Sequence, residues 1–565
     1  MAMTKPLTYL AVSVLLFASL ARAAEPQRLV VFNDDAQVLS EAPEEGTSAF
    51  VRDWLDRESE AVPFTTLVFL AATPDVCTFD SKVGEVYGAR FGPAYNKNWT
   101  PAMRGLRAEG TDALHLVTEH MHKKGKKVLA AIRMSDTHHR SLDRSNPLCP
   151  QFAVDHPEYV IKQPDGRTNE TALDYSYPEV RQHRMAIMRD IAERYDVDGL
   201  ELNFVRWAKH FPRDKGREKA PIMTDYVGEV RRLLDAAAKN RGFSDARSQP
   251  KRLTLGVRVP ESLHACWLAG VDIETWVKNG WIDYVVISTW NNTDPQLPVE
   301  DFAQFTKPAG VDTIVVMGNM IGAIWSGPPK ILDRPVAMSA KHADGYVGML
   351  LTEAEARGAA ANYYAWGADS ISFWNVGIHF GRAKTAAPEQ RERIARWTQA
   401  VQDPKDVCAG PRTYRYLPMG KGLSSRKPPT RNYPWYDEGR SPLGQPNSPV
   451  LEFATDAIGK RLVFPFRMAD GRDGERLAGR LRFWIYYLSA DDALQVDING
   501  RPINPEKTKK FPAGEFRGGL PGMRFEVDLA DCPPFAGDNQ LGLTLKTAAE
   551  RKQVPYMEEL EITVE

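Results

Sequence analysis

Tyr195-Asp-Val-Asp-Gly-Leu-Glu-Leu-Asn-Phe-Val-Arg-Trp207 has the pattern of a β-strand, with polar residues where an ordinary core strand would carry aliphatic ones. Side chains alternate along a strand, so Gly199, Glu201 and Asn203 share one face and Leu200, Leu202 and Phe204 the other. The apolar set belongs against covering helices. The polar set then faces the interior of a sheet closed on itself, near a solvent-filled opening, because a carboxylate sealed among apolar groups is costly.

Outward from this strand, short β-branched runs recur at residues 29–32, 66–70, 127–133, 253–259, 284–288, 313–317 and 370–374. Between several of them lie stretches with apolar residues at three- and four-residue steps, clearest at 180–195 and 224–239, the period of an amphipathic helix. Strands alternating with helices predict a parallel sheet with helices on its faces. Eight such strands predict an α/β fold of the (β/α)8 TIM-barrel type with long loops. A doubly wound open sheet is the rival, but no GxGxxG turn follows the first strand.

From residue 410 the chain changes character, and Lys421-Gly-Leu-Ser-Ser-Arg-Lys-Pro-Pro-Thr430 reads as a linker lying over the surface. Strict alternation follows at 461–466, 481–487, 494–498, 523–529, 541–545 and 560–564, with Asn499-Gly500 as a tight-turn signal. These short strands predict a C-terminal all-β sandwich, whose expected role is to buttress the barrel, with sugar binding as the alternative. The expected division is a signal peptide at 1–23, a barrel at 28–405, a Pro/Gly-rich linker at 406–449 and a sandwich at 450–565.

Lys5, the apolar run from Leu10 and the small-x-small triplet Ala21-Arg-Ala23 have the layout of a secretory signal. They predict an exported protein, periplasmic or extracellular, with no membrane span after cleavage. The formal net charge of -1, with acidic and basic residues interspersed, argues against a nucleic-acid partner. Cys77, Cys149, Cys266, Cys408 and Cys532 are scattered without a CxxC pair, which argues against a zinc knuckle and leaves at most two disulfides and a spare thiol. No cofactor motif is expected, and no feature of the sequence specifies an oligomeric state.

The strand at 195–207 also carries a family resemblance. It resembles the fourth strand of the glycosyl-hydrolase-like 10 family, in outline Y-x-V-D-G-I-x-L-D-(F/Y)-x-R, and Leu173-Asp-Tyr-Ser-Tyr-Pro-Glu-Val-Arg181 resembles the same family's PEVR helix start. The similarity extends over roughly residues 28–400, with the fourth-strand block its specific part. The resemblance implies a (β/α)8 barrel that hydrolyses carbohydrate, with the strand-four acid suspected of catalysis; here that acid is Glu201. The chain departs from the pattern at Asn203, where relatives carry Asp, and an amide does not form a glycosyl ester efficiently. The block is also similar to the DGxDxDxE strand of family-18 chitinases, whose acidic positions fall on Asp198, Glu201, Asn203 and Val205. Valine cannot donate a proton, which argues against chitinase-type substrate assistance.

A glycosidase normally needs two carboxyl groups flanking the bond. Glu261, just after the fifth strand, where α-amylase-like barrels place their acid, is the first candidate partner for Glu201; Asp136 after the third strand is the second, and Asp294 follows the sixth. Trp207, Trp290 and Trp374 stand at or beyond strand ends and could stack on a pyranose, while Asn203, Asn291, Asn319, Asn375, His138 and His379 could bond hydroxyls. Arg133, Arg206 and Arg258 could meet an anionic polysaccharide or simply neutralise Glu201. A weaker, metal-assisted reading uses Asp136, His138 and His139. It lacks an HExxH motif, and His115, His120 and His122 fall on a Lys-rich helical segment expected to face solvent, so no metal is assigned. The expectation is an exported glycoside hydrolase acting on a polysaccharide or oligosaccharide. Its alternative, motivated by Asn203, is a non-catalytic carbohydrate-binding protein on a degenerate hydrolase barrel.

Overall fold

The computed structural model describes residues 30–162, 171–241, 252–289, 292–318, 320–324, 347–374, 388–417, 450–471, 477–513, 521–547 and 553–565. Eight parallel strands run in chain order around a closed sheet: β1 (Val31–Asp34), β2 (Thr66–Ala72), β3 (Lys127–Arg133), β4 (Gly199–Asn203), β5 (Thr254–Pro260), β6 (Tyr284–Ser288), β7 (Asp312–Gly318) and β8 (Ser370–Trp374). Closure is between β8 and β1, where Phe32 pairs with Phe373. A helix follows every strand: α1 (Thr47–Ala61), α2 (Ala113–Lys123), α3 (Pro178–Arg194), α4 (Gly216–Asn240), α5 (Ile273–Lys278), α6 (Val299–Thr306), α7 (Glu353–Ala365) and α8 (Pro388–Ala400). The predicted TIM barrel is therefore the observed one, and each of the eight predicted strand runs overlaps a barrel strand. Strands covered on both sides are largely apolar, which is why most of them stood out in the sequence.

Local signals set where several helices begin. Asp112 caps α2 by accepting from the His115 amide at 2.9 Å, and Thr352 with Glu355 forms a reciprocal capping box at the start of α7. The Lys-rich helix α2 does not leave all its histidines to solvent as expected. His120 bonds Asp56 at 2.6 Å and His122 bonds Asp198 at 2.9 Å, so both pin the helix to neighbouring elements. Asp198 also accepts from the Val128 amide at the N-terminal ends of β3 and β4, far from where barrel chemistry sits.

The C-terminal sandwich has β9 (Arg412–Tyr416), β10 (Arg461–Met468), β11 (Gly479–Tyr486), β12 (Ala493–Ile498), β13 (Thr508–Pro512), β14 (Gly522–Asp528), β15 (Gly537–Thr547) and β16 (Tyr556–Val564). Two antiparallel sheets, ordered β9-β16-β11-β14-β13 and β10-β15-β12, enclose a core that includes Tyr414, Phe466, Phe483, Phe525, Leu543 and Ile562. Asn499 and Gly500, with φ of 54° and 79°, make the expected left-handed turn after β12.

One boundary moves. β9 lies inside the stretch expected to be linker, pairing Arg412 with Val564 and Tyr416 with Leu560. Tyr414 and Tyr416 point into the sandwich core, while Thr413 and Arg415 are buried against the barrel side. A strand covered on both faces, yet polar on one, hides the alternation that identifies other sandwich strands. The rest of the expected linker, 418–449, lies outside the described residues, as do the expected signal peptide and residues 24–29. All five cysteines are unpaired.

The two domains meet through α7. The Asn362 amide donates to the carbonyls of Pro295, in the loop after β6, and of Arg467, on β10, at 2.8 and 2.9 Å. Its oxygen accepts from the Ala469 amide at 2.8 Å. The neighbouring Tyr363 hydroxyl donates to the Asp294 carbonyl at 2.7 Å, in the same loop.

Candidate active site

Strand register sorts the interior polar residues into layers. Arg133, Asn203 and Arg258 are direct neighbours across β3, β4 and β5 and form a layer at the C-terminal mouth. Two residues back, Ala131, Glu201 and Gly256 form the layer beneath. Glu201 thus faces inward as its alternation predicts, but it lies one step deeper than a cleft-lining residue, at 1% exposure.

The space around Glu201 is made by its small neighbours. A Cβ on Gly256 would come within 2.0 Å of Cζ of Tyr284, so only glycine lets that ring lie across β5. The Tyr284 hydroxyl donates to Oε2 of Glu201 at 2.7 Å, whereas Oε1 has no hydrogen-bonding partner among the described residues. Burial pushes the Glu201 carboxyl up to about 7, with Asp35 adding to the shift and the Tyr284 bond and Arg258 opposing it.

Asp35, just past β1, behaves oppositely. Burial would raise its pKa, yet Arg133, Arg206 and Arg258 together hold it below the usual carboxylate value. Arg133 reaches across the barrel interior to Asp35 at 3.2 Å and bonds Asp136 at 2.7 Å. Asp136 is saturated: its other oxygen accepts from the backbone amide of His138 at 2.8 Å and from Nδ1 at 2.7 Å. Against burial, His138 and Arg133 hold its carboxyl far below the ordinary range. His138, its side chain 30% exposed, meets the Arg206 guanidinium through Nε2 at 2.9 Å. These partners define a neutral ring that donates through Nδ1 and accepts at Nε2. Burial and Arg206 keep its pKa below that of free histidine, although Asp136 pulls the other way.

Asn203 turns back on its own chain, its Oδ1 accepting from the amides of Val205 and Arg206 at 3.0 and 3.3 Å. Arg258 donates twice to the Ser288 hydroxyl, at 3.0 and 2.8 Å, and its guanidinium lies 3.9 Å from the Trp374 ring centre. Trp374 is therefore packed beneath an arginine at 1% exposure and does not offer that face to a sugar. Trp207 is half-buried and holds an edge-on contact with His138.

Glu261 is buried to 1% with Oε2 unpartnered among the described residues, and burial reinforced by Asp294 pushes it to about 8. Trp290, Asn291, Asn319, Asn375 and His379 lie outside the described residues. Among the described residues no group of three or more His, Cys, Asp or Glu is arranged to hold a metal ion; Asp136 and His138 bind each other instead.

Two residues of this site escape sequence reasoning. Asp35 ends the run Phe32-Asn-Asp-Asp35 and could have been found as an acid at the C-terminal end of β1. Tyr284 opens β6, at the end of the strand where catalytic residues are not sought.

The arrangement is that of a (β/α)8 barrel whose mouth and interior gather carboxyl groups in unlike ionisation states. Residues 83–218, which span β3, β4 and the loops at their mouth ends, match the model of the family described as Glycosyl hydrolase-like 10. No curated protein matches the chain in sequence. Among solved structures, alpha-L-fucosidase isoenzyme 2 from Paenibacillus thiaminolyticus is similar at 13% identity and a TM-score of 0.38, over 68% of this chain and 51% of its own. The chain thus spans about half the length of that fucosidase. The PgaB (BpsB) glycoside hydrolase domain from Bordetella bronchiseptica aligns at 11% identity and a TM-score of 0.37, over 65% of this chain and 98% of its own. A GH18 chitinase from Cycas revoluta aligns at 13% identity and a TM-score of 0.36, over 66% and 99%.

Proposed function

We propose that the protein is an exported glycoside hydrolase that cleaves a polysaccharide or oligosaccharide at the barrel mouth, with Glu201 as proton donor and Asp35 as the charge-stabilising carboxylate. The observation that carries this reading is the unlike setting of two inward carboxyl groups: Asp35 is ion-paired to Arg133 at 3.2 Å, whereas buried Glu201 is met by the neutral Tyr284 hydroxyl at 2.7 Å. Three arginines keep Asp35 anionic, while burial and Asp35 itself keep Glu201 protonated up to about pH 7. Environments that drive two carboxyl groups apart are the signature of an acid and its anionic partner. Glu261 does not suit the anionic role, since it too is held protonated, and Asp136 has both oxygens engaged. Arg133 is engaged with Asp35 and Asp136, so it serves to set ionisation.

The test is release of reducing ends from a panel of neutral and anionic polysaccharides and their oligosaccharides. Activity should fall at least about 100-fold in Glu201→Gln and in Asp35→Asn. Turnover preserved in both variants would refute the assignment. Asn203 supports a second reading, a barrel that binds sugar without cleaving it, because its side chain caps the chain after β4 and supplies no carboxylate. Saturable glycan binding with no product from any substrate selects that reading.

A further inference from the structure

Resting on the hydrolase reading, we propose that Tyr284 is the positioning residue of the proton donor: its hydroxyl occupies one oxygen of Glu201 and so assigns the transferable proton to the other. Three observations converge on it. The Tyr284 hydroxyl lies 2.7 Å from Oε2, and Oε1 has no partner among the described residues. Tyr284 is wholly buried, and its burial beside Glu201 holds the phenol protonated well past its ordinary range, so it remains a donor wherever the enzyme works. The phenol has no other acceptor among the described residues, so its proton lies on the line to Oε2 and the acid carries its own proton on Oε1. Oε1 is sealed below the layer of Arg133, Asn203 and Arg258, so a substrate that takes this proton has to part that layer. The Glu201 Oε1–H bond then breaks as the proton moves to the leaving glycosidic oxygen, and the electron pair stays on the carboxylate. In that carboxylate form the phenol bond to Oε2 becomes charge-assisted and stronger, so Tyr284 stabilises the product of proton transfer more than its reactant.

Gly256 belongs to the same device. It pairs in register with Tyr284, and a methyl group there would strike the phenol ring at 2.0 Å from Cζ and 2.3 Å from the hydroxyl oxygen. The absence of a side chain on β5 is thus what lets a residue from the start of β6 reach an acid on β4.

The experiment compares wild type with Tyr284→Phe and, separately, Gly256→Ala. Glu201 is titrated in the free protein through its protonated-carboxyl infrared band, with Glu201→Gln identifying the band, beside pH–rate profiles on a cleaved glycan. A bond donated to the carboxylate favours ionisation, so Tyr284→Phe should move the midpoint upward from about 7. The alkaline limb of kcat should move the same way while kcat falls about tenfold or more and KM stays near its original value. Gly256→Ala, which displaces the ring without removing the hydroxyl, should reproduce the direction of both changes. An unchanged midpoint and an unchanged alkaline limb in folded Tyr284→Phe would overturn the proposal and leave Tyr284 as packing. The infrared midpoint needs no turnover, so a wild type inactive on every glycan sinks the hydrolase reading, while a shifted midpoint still upholds the hold of Tyr284 on Glu201.

Discussion

The barrel mouth and the barrel–sandwich junction both bury several carboxyl groups around arginine, and they treat charge in opposite ways. At the junction Arg415 of β9, 3% exposed, contacts Glu559, Glu561 at 2.8 Å and Glu355 of α7 at 3.6 Å. Arg482 adds a second contact to Glu561 at 3.1 Å. Each acid there has a cation within ion-pair reach. At the mouth Asp35, Asp75 and Asp136 are so treated, while Glu201 and Glu261, equally buried, hold their protons to about 7 and 8. Paired burial holds elements together, whereas unpaired burial stores a proton, which points to structure in one place and chemistry in the other.

The largest expected effect comes from breaking the paired region. Arg415→Met should leave Glu355, Glu559 and Glu561 buried without their central cation and cost about 3–5 kcal/mol, read as a lower urea midpoint. A loss below about 1 kcal/mol would mean that the junction behaves like an exposed salt bridge.

Next in size is the pH dependence that distinguishes the unpaired region. Folding raises the pKa of Glu201 from 4.5 to about 7, so the native state holds a proton that the unfolded chain gives up first. Its unfavourable contribution is absent below about pH 4.5, grows as pH rises, and levels off above about pH 7. Urea titrations from pH 4 to 8 should therefore show Glu201→Gln gaining on wild type by on the order of 3 kcal/mol. A difference that does not vary with pH would mean that Glu201 is already ionised in the native protein.

The smallest change is expected at Asn203. An aspartate there can accept the same two amide bonds, so Asn203→Asp should shift stability by less than about 1 kcal/mol and leave hydrolysis within about twofold of wild type. A large gain in turnover on restoring the acid would mark the native barrel as a hydrolase that had lost its nucleophile.

Much of the fold was legible because its parallel strands are short apolar runs separated by helices. Direction was legible too: alternation placed Glu201 inside. Depth was not. Which layer a residue occupies depends on the register between strands, a property of barrel closure that no single strand encodes. That is why Glu201, expected to line an open cleft, lies beneath Arg133, Asn203 and Arg258. Trp374 was expected to offer a sugar platform for a related reason, since a strand-end position does not reveal that Arg258 already covers one face. β9 went unread because Arg415, facing a barrel helix, gave it the polarity of a linker.

Asn362 has a consequence for how this protein can be taken apart. One amide side chain ties the carbonyl of Pro295 in a barrel-mouth loop to the backbone of Arg467 and Ala469 in the sandwich. Cutting the chain after α8 would strip that side chain of its sandwich partners and expose the α7 face they cover. What remained would be a barrel with a wound beside its own doorway, so the sandwich is better regarded as a keystone than as an appendage.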